Sequence, residues 1–339
     1  MVNILENVSL KLYSTMRLGG TARYACEINS EDDLLEAASW ARLHHVAMRA
    51  IGVGSNVVWS DEGYSGLLLI MKIADFELLE EDLVRMGAGL NWDEAVKRTV
   101  DSGLSGIELL SLIPGTVGAT PVQNVGAYGR EIKDVLVSVR AYDLHEKSFV
   151  TIASGDCQFG YRTSRFKAVD NGRFIICSIV LQLTNSPLEP PFYESLQNYI
   201  NEHSITEYSP ATIRSAVIAL RSSKLPDPKQ VANNGSFFEN PIVQKPQYDE
   251  LLEKFSDLKG WPNQDGTVKL AAGWLVEQAG FKNYHDAATG MGTWGEQSLV
   301  VVNEHATSTQ DLLDFKQKIV NAVDEKFGIT LIQEPEILP

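Results

Sequence analysis

Residues 113–129, IPGTVGATPVQNVGAYG, hold four glycines, two prolines and no charged side chain. Helices and central strands do not tolerate breakers at that density, so the fold must be built around an irregular loop here. Glycine leaves main-chain N–H groups bare, and successive N–H groups of this kind can line a concave anion site. No Lys follows the glycines as in a Walker loop, and no GxGxxG leads into a helix. A second loop, Gly52-Val53-Gly54-Ser55-Asn56, directly follows the apolar run 46–51. One such loop reads equally well as a surface turn cluster. Two of them favour a seat for a phosphorylated ligand.

Composition narrows the ligand class. The net charge is −15 and the sequence pI is about 4.9, which argues against a nucleic-acid or membrane-surface partner. A few local arginines still suffice for a small anion. The N-terminal residues carry acid early and lack a basic region followed by a long apolar core, so no signal peptide is expected. No apolar run is long enough to predict a membrane span. Cys26, Cys157 and Cys177 are widely spaced and odd in number, and are expected to be free thiols in a reducing cytoplasm. The six histidines show neither HxxxH nor HExxH spacing, so no metal site is expected.

The 339 residues are enough for two or three domains. Ser30 begins an S-x-x-D start before an apolar helical stripe at Leu34, Leu35, Ala37, Ala38 and Ala41. Runs 67–71 and 83–86 read as strands, and Asn91 is expected to cap a helix ending near Gly103. Val135, Val137, Val139 and Ala141 alternate with polar neighbours, which predicts a half-buried antiparallel strand. A longer strand is expected over 174–183. Ser209-Pro210 opens another helix, with Pro at the first helical position. Beyond residue 225, helices are expected over 248–255 and 272–279, and a strand over 298–302. A long helix over 309–327 is capped by Ser308 and stopped by Gly328, and a last strand over 329–333 is expected.

Four polar groups or pairs stand out. Ser236 lies in NNGSFF, between a turn and two aromatics, with neither a G-x-S-x-G elbow nor a nearby histidine to make it a nucleophile. Arg162 and Arg165 lie among hydroxyls in GYRTSR, which is either a solvated basic patch or a guanidinium site for a carboxylate or phosphate. Arg221 and Lys224 form a basic pair at a helix end, favourable against the helix dipole or as a diphosphate contact. Glu334 and Glu336 flank Pro335 in what reads alone as an acidic tail.

Together these segments resemble one family. STMRLGGTARY (14–24), GVGSN (52–56), LIPGTVGATPVQNVGAYG (112–129), FGYRTSRFK (159–167), RSSKLPDP (221–228), NNGSFFENP (233–241), AAGWLVEQAG (271–280) and QEPE (333–336) occur in the order typical of UDP-N-acetylenolpyruvoylglucosamine reductases. The resemblance covers nearly the whole chain and implies an α+β, three-domain flavoprotein. Residues 1–72 and 73–224 would be FAD-binding subdomains of the vanillyl-alcohol-oxidase type, the second joined by a C-terminal strand within 329–339. Residues 225–328 would bind the UDP-sugar. Tyr193, in PPFYESL, matches the type with a substrate-covering tyrosine loop.

Carried over residue by residue, the resemblance implies non-covalent FAD held by Gly52, Val53, Gly54, Ser55, Asn56, Gly115, Thr116, Val117, Gly118 and Ala119. Backbone N–H groups would wrap its pyrophosphate, and Asn124, Gly126 and Ala127 would lie near the flavin or ribityl chain. Arg162, Ser236 and Glu336 become the catalytic set. Tyr128, Tyr193, Arg221, Lys224, Asn240 and Gln297 become substrate contacts. The implied reaction is NADPH-dependent reduction of UDP-N-acetylglucosamine enolpyruvate to UDP-N-acetylmuramate in peptidoglycan precursor synthesis, by a cytoplasmic monomer. Glu239 departs from the family, which commonly has a basic residue there. Two alternatives stay open: another flavoprotein oxidase or dehydrogenase of this fold, and a nucleotide-sugar sensor without catalysis. Oxidases that attach flavin covalently use His or Cys, and neither glycine loop contains either.

Overall fold

Helices begin where a side-chain oxygen can take an orphan backbone N–H. In a computed structural model, which describes residues 2–339, Ser30 Oγ accepts from Asp33 N–H at 3.1 Å and opens helix Glu31–Leu43. Asn91 Oδ1 accepts from Glu94 N–H at 3.0 Å ahead of Trp92–Asp101, and Ser209 Oγ from Thr212 N–H at 3.2 Å ahead of Pro210–Lys224. Ser308 and Asp311 form a capping box before helix Thr309–Phe327, and Gly328 ends it at φ 65°. All four expected starts are thus present.

Contacts along the chain define two units. The first comprises residues up to Val8, Ala22–Val53 and Tyr64–Ser223. Its four-stranded sheet runs Leu5–Ser9, Thr21–Ile28, Tyr64–Met71, Met48–Ile51. The last two pairings are parallel, which requires crossover links: helix Glu31–Leu43 lies in the link that leaves Thr21–Ile28, and residues 52–63 link Met48–Ile51 to Tyr64–Met71. A second sheet has the order Ser148–Ala153, Leu136–Asp143, Phe174–Gln182, Leu83–Gly87, Phe76–Leu78 and is antiparallel throughout. One continuous core includes Cys26, Ile28 and Leu67 from the first sheet and Val139, Ile179 and Leu181 from the second. The expected subdomains 1–72 and 73–224 therefore share a core. A smaller cluster around Leu196, Ile200, Ile213 and Val217 packs helices Glu194–Glu202 and Pro210–Lys224.

The second unit comprises Ser9–Thr21, Gly54–Gly63 and Lys224–Pro339. Its largest sheet runs Ala232–Ser236, Gln297–Asn303, Met291–Trp294, His285–Asp286, and a three-stranded sheet runs Ile242–Gln244, Thr267–Leu270, Gly260–Pro262. Helix Thr309–Phe327 buries Leu312, Phe315, Ile319 and Val323 in a core shared with Met16, Val58, Phe237 and Phe238. Thr309 Oγ1 donates to Trp59 O at 2.6 Å, which ties the helix start to segment Gly54–Gly63.

Three details differ from expectation. Val137 is 40% exposed, because a register shift between Leu136 and Ser138 breaks the strict alternation. The terminal strand is Glu336–Leu338 rather than 329–333; Ile329 and Leu331 are buried as core side chains without a ladder. That strand pairs in parallel with Val57–Trp59, not with any strand of 73–224. The three cysteines are free and buried, and burial pushes the thiols of Cys26 and Cys177 up to about 12 and that of Cys157 to about 11.

Candidate functional site

Within the first unit, Gly52 and the long glycine loop come together. A Cβ built on Gly52 would lie 2.2 Å from Thr116 Oγ1, so only glycine fits there. Val117–Ala119 forms a 3-10 turn. The N–H groups of Val117, Gly118 and Ala119 donate to Leu90 O, Ala88 O and Thr116 O at 2.9, 2.9 and 3.0 Å. These three amides are spent on the fold, which corrects the expectation that the whole run 115–119 offers N–H groups to a pyrophosphate. Asn124, at φ 49° and fully buried, is likewise engaged. Its Nδ2 donates to Glu131 Oε2 and Gly160 O, and its Oδ1 accepts from Lys133 N–H. Asn124 shapes the loop from inside.

Arg162 sits in the left-handed region, φ 53°, inside a tight turn closed by Gly160 N–H to Thr163 O at 3.0 Å. Its Nη2 donates to Gly126 O at 2.9 Å, and Ser164 Oγ donates to Val122 O at 2.7 Å. With the Asn124–Gly160 bond, these hydrogen bonds fasten the arginine turn onto the glycine loop, next to Gly126 and Ala127. Arg165 goes elsewhere: its Nε donates to Asp170 Oδ2 at 2.6 Å, a structural pair.

Tyr128 and Tyr193 meet edge to face with ring centroids 6.0 Å apart. They border a cavity of about 400 Å³ lined also by Leu109, Leu188, Pro191 and Phe192 and by the charged Arg130 and Glu189. Burial raises the pKa of both hydroxyls; Arg221 partly offsets this at Tyr128, whereas Glu194 adds to it at Tyr193. Arg221 lies on helix Pro210–Lys224, and its Nε is buried with no hydrogen-bond partner. Seven residues earlier, Arg214 holds Asp93 with two hydrogen bonds of 2.7 and 2.9 Å.

The second unit holds the remaining assigned residues. Gly54, at φ 69°, accepts from Thr15 N–H at 3.0 Å, and Asn56 O accepts from Glu336 N–H at 3.0 Å. Asn234 Nδ2 lies 3.1 Å from Thr15 Oγ1, 3.4 Å from Gly54 O, 3.2 Å from Ser55 O and 3.3 Å from Val57 O. The carbonyls of 54–57 are thus drawn to protein donors. Two positions beyond Asn234, Ser236 ends strand Ala232–Ser236 opposite Val300 and is exposed, while Phe237 and Phe238 behind it are buried.

The QEPE segment is strung between these parts. Glu334 N–H donates to Phe237 O at 2.9 Å, Asn56 Nδ2 donates to Glu334 O at 3.4 Å, and Glu336 pairs with Val57. The segment that reads alone as an acidic tail is therefore fixed between the neighbour of Ser236 and the first glycine loop. Asn240 and Gln297 both adjoin the start of helix Ala272–Gln278: Asn240 Oδ1 accepts from Ala272 N–H at 3.0 Å, and Gln297 Oε1 is 2.8 Å from the Cβ position of Gly273. Lys224 is exposed at a helix end.

Arg162, Gly126, Tyr128, Tyr193 and Arg221 thus belong to the first unit, and Ser236, Asn240, Gln297 and Glu336 to the second. Sequence reasoning missed Asp93, Arg214, Thr15 and Asn234. Asp93 reads as an ordinary acid in a first helical turn, and the only signal for Asn234 is its place two residues before Ser236.

Residues 22–148 match the FAD binding domain family, and 227–338 match the UDP-N-acetylenolpyruvoylglucosamine reductase C-terminal domain family. The chain is 39% identical to the UDP-N-acetylenolpyruvoylglucosamine reductase of Ralstonia nicotianae over 96% of both sequences. It is 40% identical to that of Cupriavidus pinatubonensis over 100% of both, and 44% identical to that of Alcanivorax borkumensis over 85% of this chain and 83% of the relative. Its fold is similar to the crystal structure of UDP-N-acetylenolpyruvylglucosamine reductase from Thermus caldophilus, with a TM-score of 0.70 at 22% identity across 100% of both chains. With both halves of the architecture matched and relatives of this identity spanning its length, the chain belongs to the UDP-N-acetylenolpyruvoylglucosamine reductase family.

Proposed function

We propose that this chain reduces UDP-N-acetylglucosamine enolpyruvate to UDP-N-acetylmuramate, with FAD as cofactor and NADPH as reductant, in peptidoglycan precursor synthesis. The observation that carries this reading is the placement of the QEPE segment, which hydrogen-bonds both to the first glycine loop and to the residue after Ser236. The loops suit FAD. The backbone at Gly52 has no room for a side chain, and the carbonyls of 54–56 engage protein donors, an orientation that favours N–H groups toward a pyrophosphate. When bound and reduced by NADPH, FAD would supply a hydride from N5 to C3 of the enolpyruvyl group.

This chain's residues then handle charge and proton. Negative charge develops at C2 and spreads into the adjacent carboxylate. Arg162 is assigned to stabilise it, as a cation whose Nη2 is held on Gly126 O, and such preorganised groups commonly contribute about 3–4 kcal/mol each. Ser236 is assigned to protonate C2, and it is accessible for that at the end of its strand. Glu336 completes the catalytic set, its backbone held by Asn56. Tyr128, Tyr193, Arg221, Lys224, Asn240 and Gln297 are assigned to the UDP-sugar.

No helix among the described residues is long and apolar enough to cross a membrane. The accompanying reading is a cytoplasmic monomer that works on small molecules. The test mixes purified FAD-loaded protein, NADPH and the enolpyruvyl UDP-sugar and follows absorbance at about 340 nm. Loss of absorbance that depends on the UDP-sugar is expected. Unchanged absorbance with FAD bound would favour the sensor reading.

A further inference from the structure

Helix Pro210–Lys224 carries Arg214 and Arg221 seven residues apart, a spacing that puts both on one helical face. Asp93, in the first turn of helix Trp92–Asp101, interacts electrostatically with both. Its two oxygens are already committed. Oδ1 accepts from Arg214 Nη1 at 2.7 Å and from Leu112 N–H at 2.5 Å, and Oδ2 accepts from Arg214 Nη2 at 2.9 Å. This is the fork-to-fork arrangement in which guanidinium and carboxylate satisfy each other best. Arg221 is left with a buried Nε that has no hydrogen-bond partner.

A buried guanidinium N–H without an acceptor is unfavourable, so it persists where the fold offers the donor nothing better or where a ligand brings an acceptor. Here the nearby carboxylate is held by the other arginine. Burial alone would push the Asp93 carboxyl up, and the bonds from Arg214 and Leu112, together with the charges of Arg214 and, least, Arg221, more than offset it. Burial also lowers the pKa of Arg221, while Tyr128 and Asp93 act in the opposite direction. Freed from Arg214, an ionised Asp93 would turn to Arg221 and occupy the position a ligand anion needs. An internal carboxylate at high effective concentration is a strong competitor.

We propose that Arg214 is a positioning residue that sequesters Asp93, keeping the Arg221 guanidinium available for an anionic group of the substrate. The pair acts as negative control on an internal competitor rather than as a contact to the substrate. This rests on the assignment of Arg221 to substrate binding made above.

The test is steady-state kinetics on FAD-loaded protein with the UDP-sugar varied. Arg221→Met checks the underlying assignment: a raised KM supports it, and an unchanged KM removes it. With that established, Arg214→Met is expected to raise KM about 10-fold with kcat within about 2-fold, the signature of lost ground-state binding. The double variant Asp93→Asn with Arg214→Met is expected to return KM to within about 2-fold of the parent, because the competing charge is gone. A merely structural ion pair predicts the reverse, a double variant no better than the single one. That result, or an unchanged KM in Arg214→Met alongside a raised KM in Arg221→Met, overturns the proposal. If Arg214→Met does not fold, Arg214→Lys takes its place: it keeps the charge, loses the fork, and is expected to raise KM about 3-fold with the same rescue by Asp93→Asn. No rise, or no rescue, overturns the proposal equally.

Discussion

Gly52 faces Thr116 with its Cβ position 2.2 Å from the threonine Oγ1 and 3.2 Å from its Cβ. Thr116 is 5% exposed and cannot swing into solvent. Gly52 does not have positive φ, so space rather than backbone conformation demands glycine. Gly52→Ala is expected to cost about 1–3 kcal/mol and to yield protein depleted of FAD. The ratio of flavin to protein absorbance after gel filtration reads this out. Adding Thr116→Ala should recover part of the flavin; no recovery would place the fault outside this contact.

Ser236 stands exposed at a strand end, with two buried phenylalanines behind it that fix its backbone. If it donates the proton to C2, Ser236→Ala is expected to lower kcat by about 10²–10⁴-fold. Reduction of the bound FAD by NADPH should continue at the parental rate. Rapid-mixing absorbance separates the two half-reactions, and equal loss in both would exclude a proton-donor role.

Asn234 gathers Thr15, Gly54, Ser55 and Val57 around one amide nitrogen and is 5% exposed. Asn234→Asp would set a carboxylate against three backbone carbonyls. It is expected to destabilise the protein by about 2–4 kcal/mol at neutral pH, since a buried charge without a partner is costly. Denaturant melts at two pH values check it. The loss should shrink at acidic pH, where the new carboxyl is protonated.

Arg173 grips Asp143 through Nη2 at 2.7 Å and Nε at 3.1 Å, at the end of the ladder between strands Leu136–Asp143 and Phe174–Gln182. These bonds, against the opposing effect of burial, hold the Asp143 carboxyl at about 2 rather than 3.8, with help from the N–H groups of His145 and Glu146. An unfolded chain takes up this proton near pH 3.8 and the folded one near pH 2. The stabilisation that this hydrogen-bonded carboxylate contributes is therefore complete above the higher value and vanishes as pH falls through the lower. Asp143→Asn should lower stability at pH 7 and flatten the acid limb between those values. A stability curve identical in shape to the parent's would refute it.

Much of this architecture is legible in the residues. Ser30, Asn91, Ser209 and Ser308 declare their helices because capping is local chemistry. Val137 was not legible, because the bulge that exposes it is decided by pairing with a strand some forty residues on. The motifs that carry Arg162, Ser236 and Glu336 could be read by resemblance, but not the supports beneath them. Asp93 and Arg214 are 121 residues apart, and Asn234 and Thr15 are 219 apart. No local pattern announces a partner at such range. The N–H groups of 117–119 show the opposite error: composition suggested free donors, and the fold had already used them.

The parallel pairing of Glu336–Leu338 with Val57–Trp59 has a consequence for biosynthesis. Strand 57–59 leaves the ribosome long before its partner exists, and so does segment Ser9–Thr21 of the same unit. The first unit, mostly contiguous over Tyr64–Ser223, can fold during translation, whereas the second must wait for its distal residues. During that wait Met16 and Val58, fully buried in the finished unit, lack their cover. Nascent chains stalled before residue 336 should accordingly be the species that chaperones hold and proteases cut.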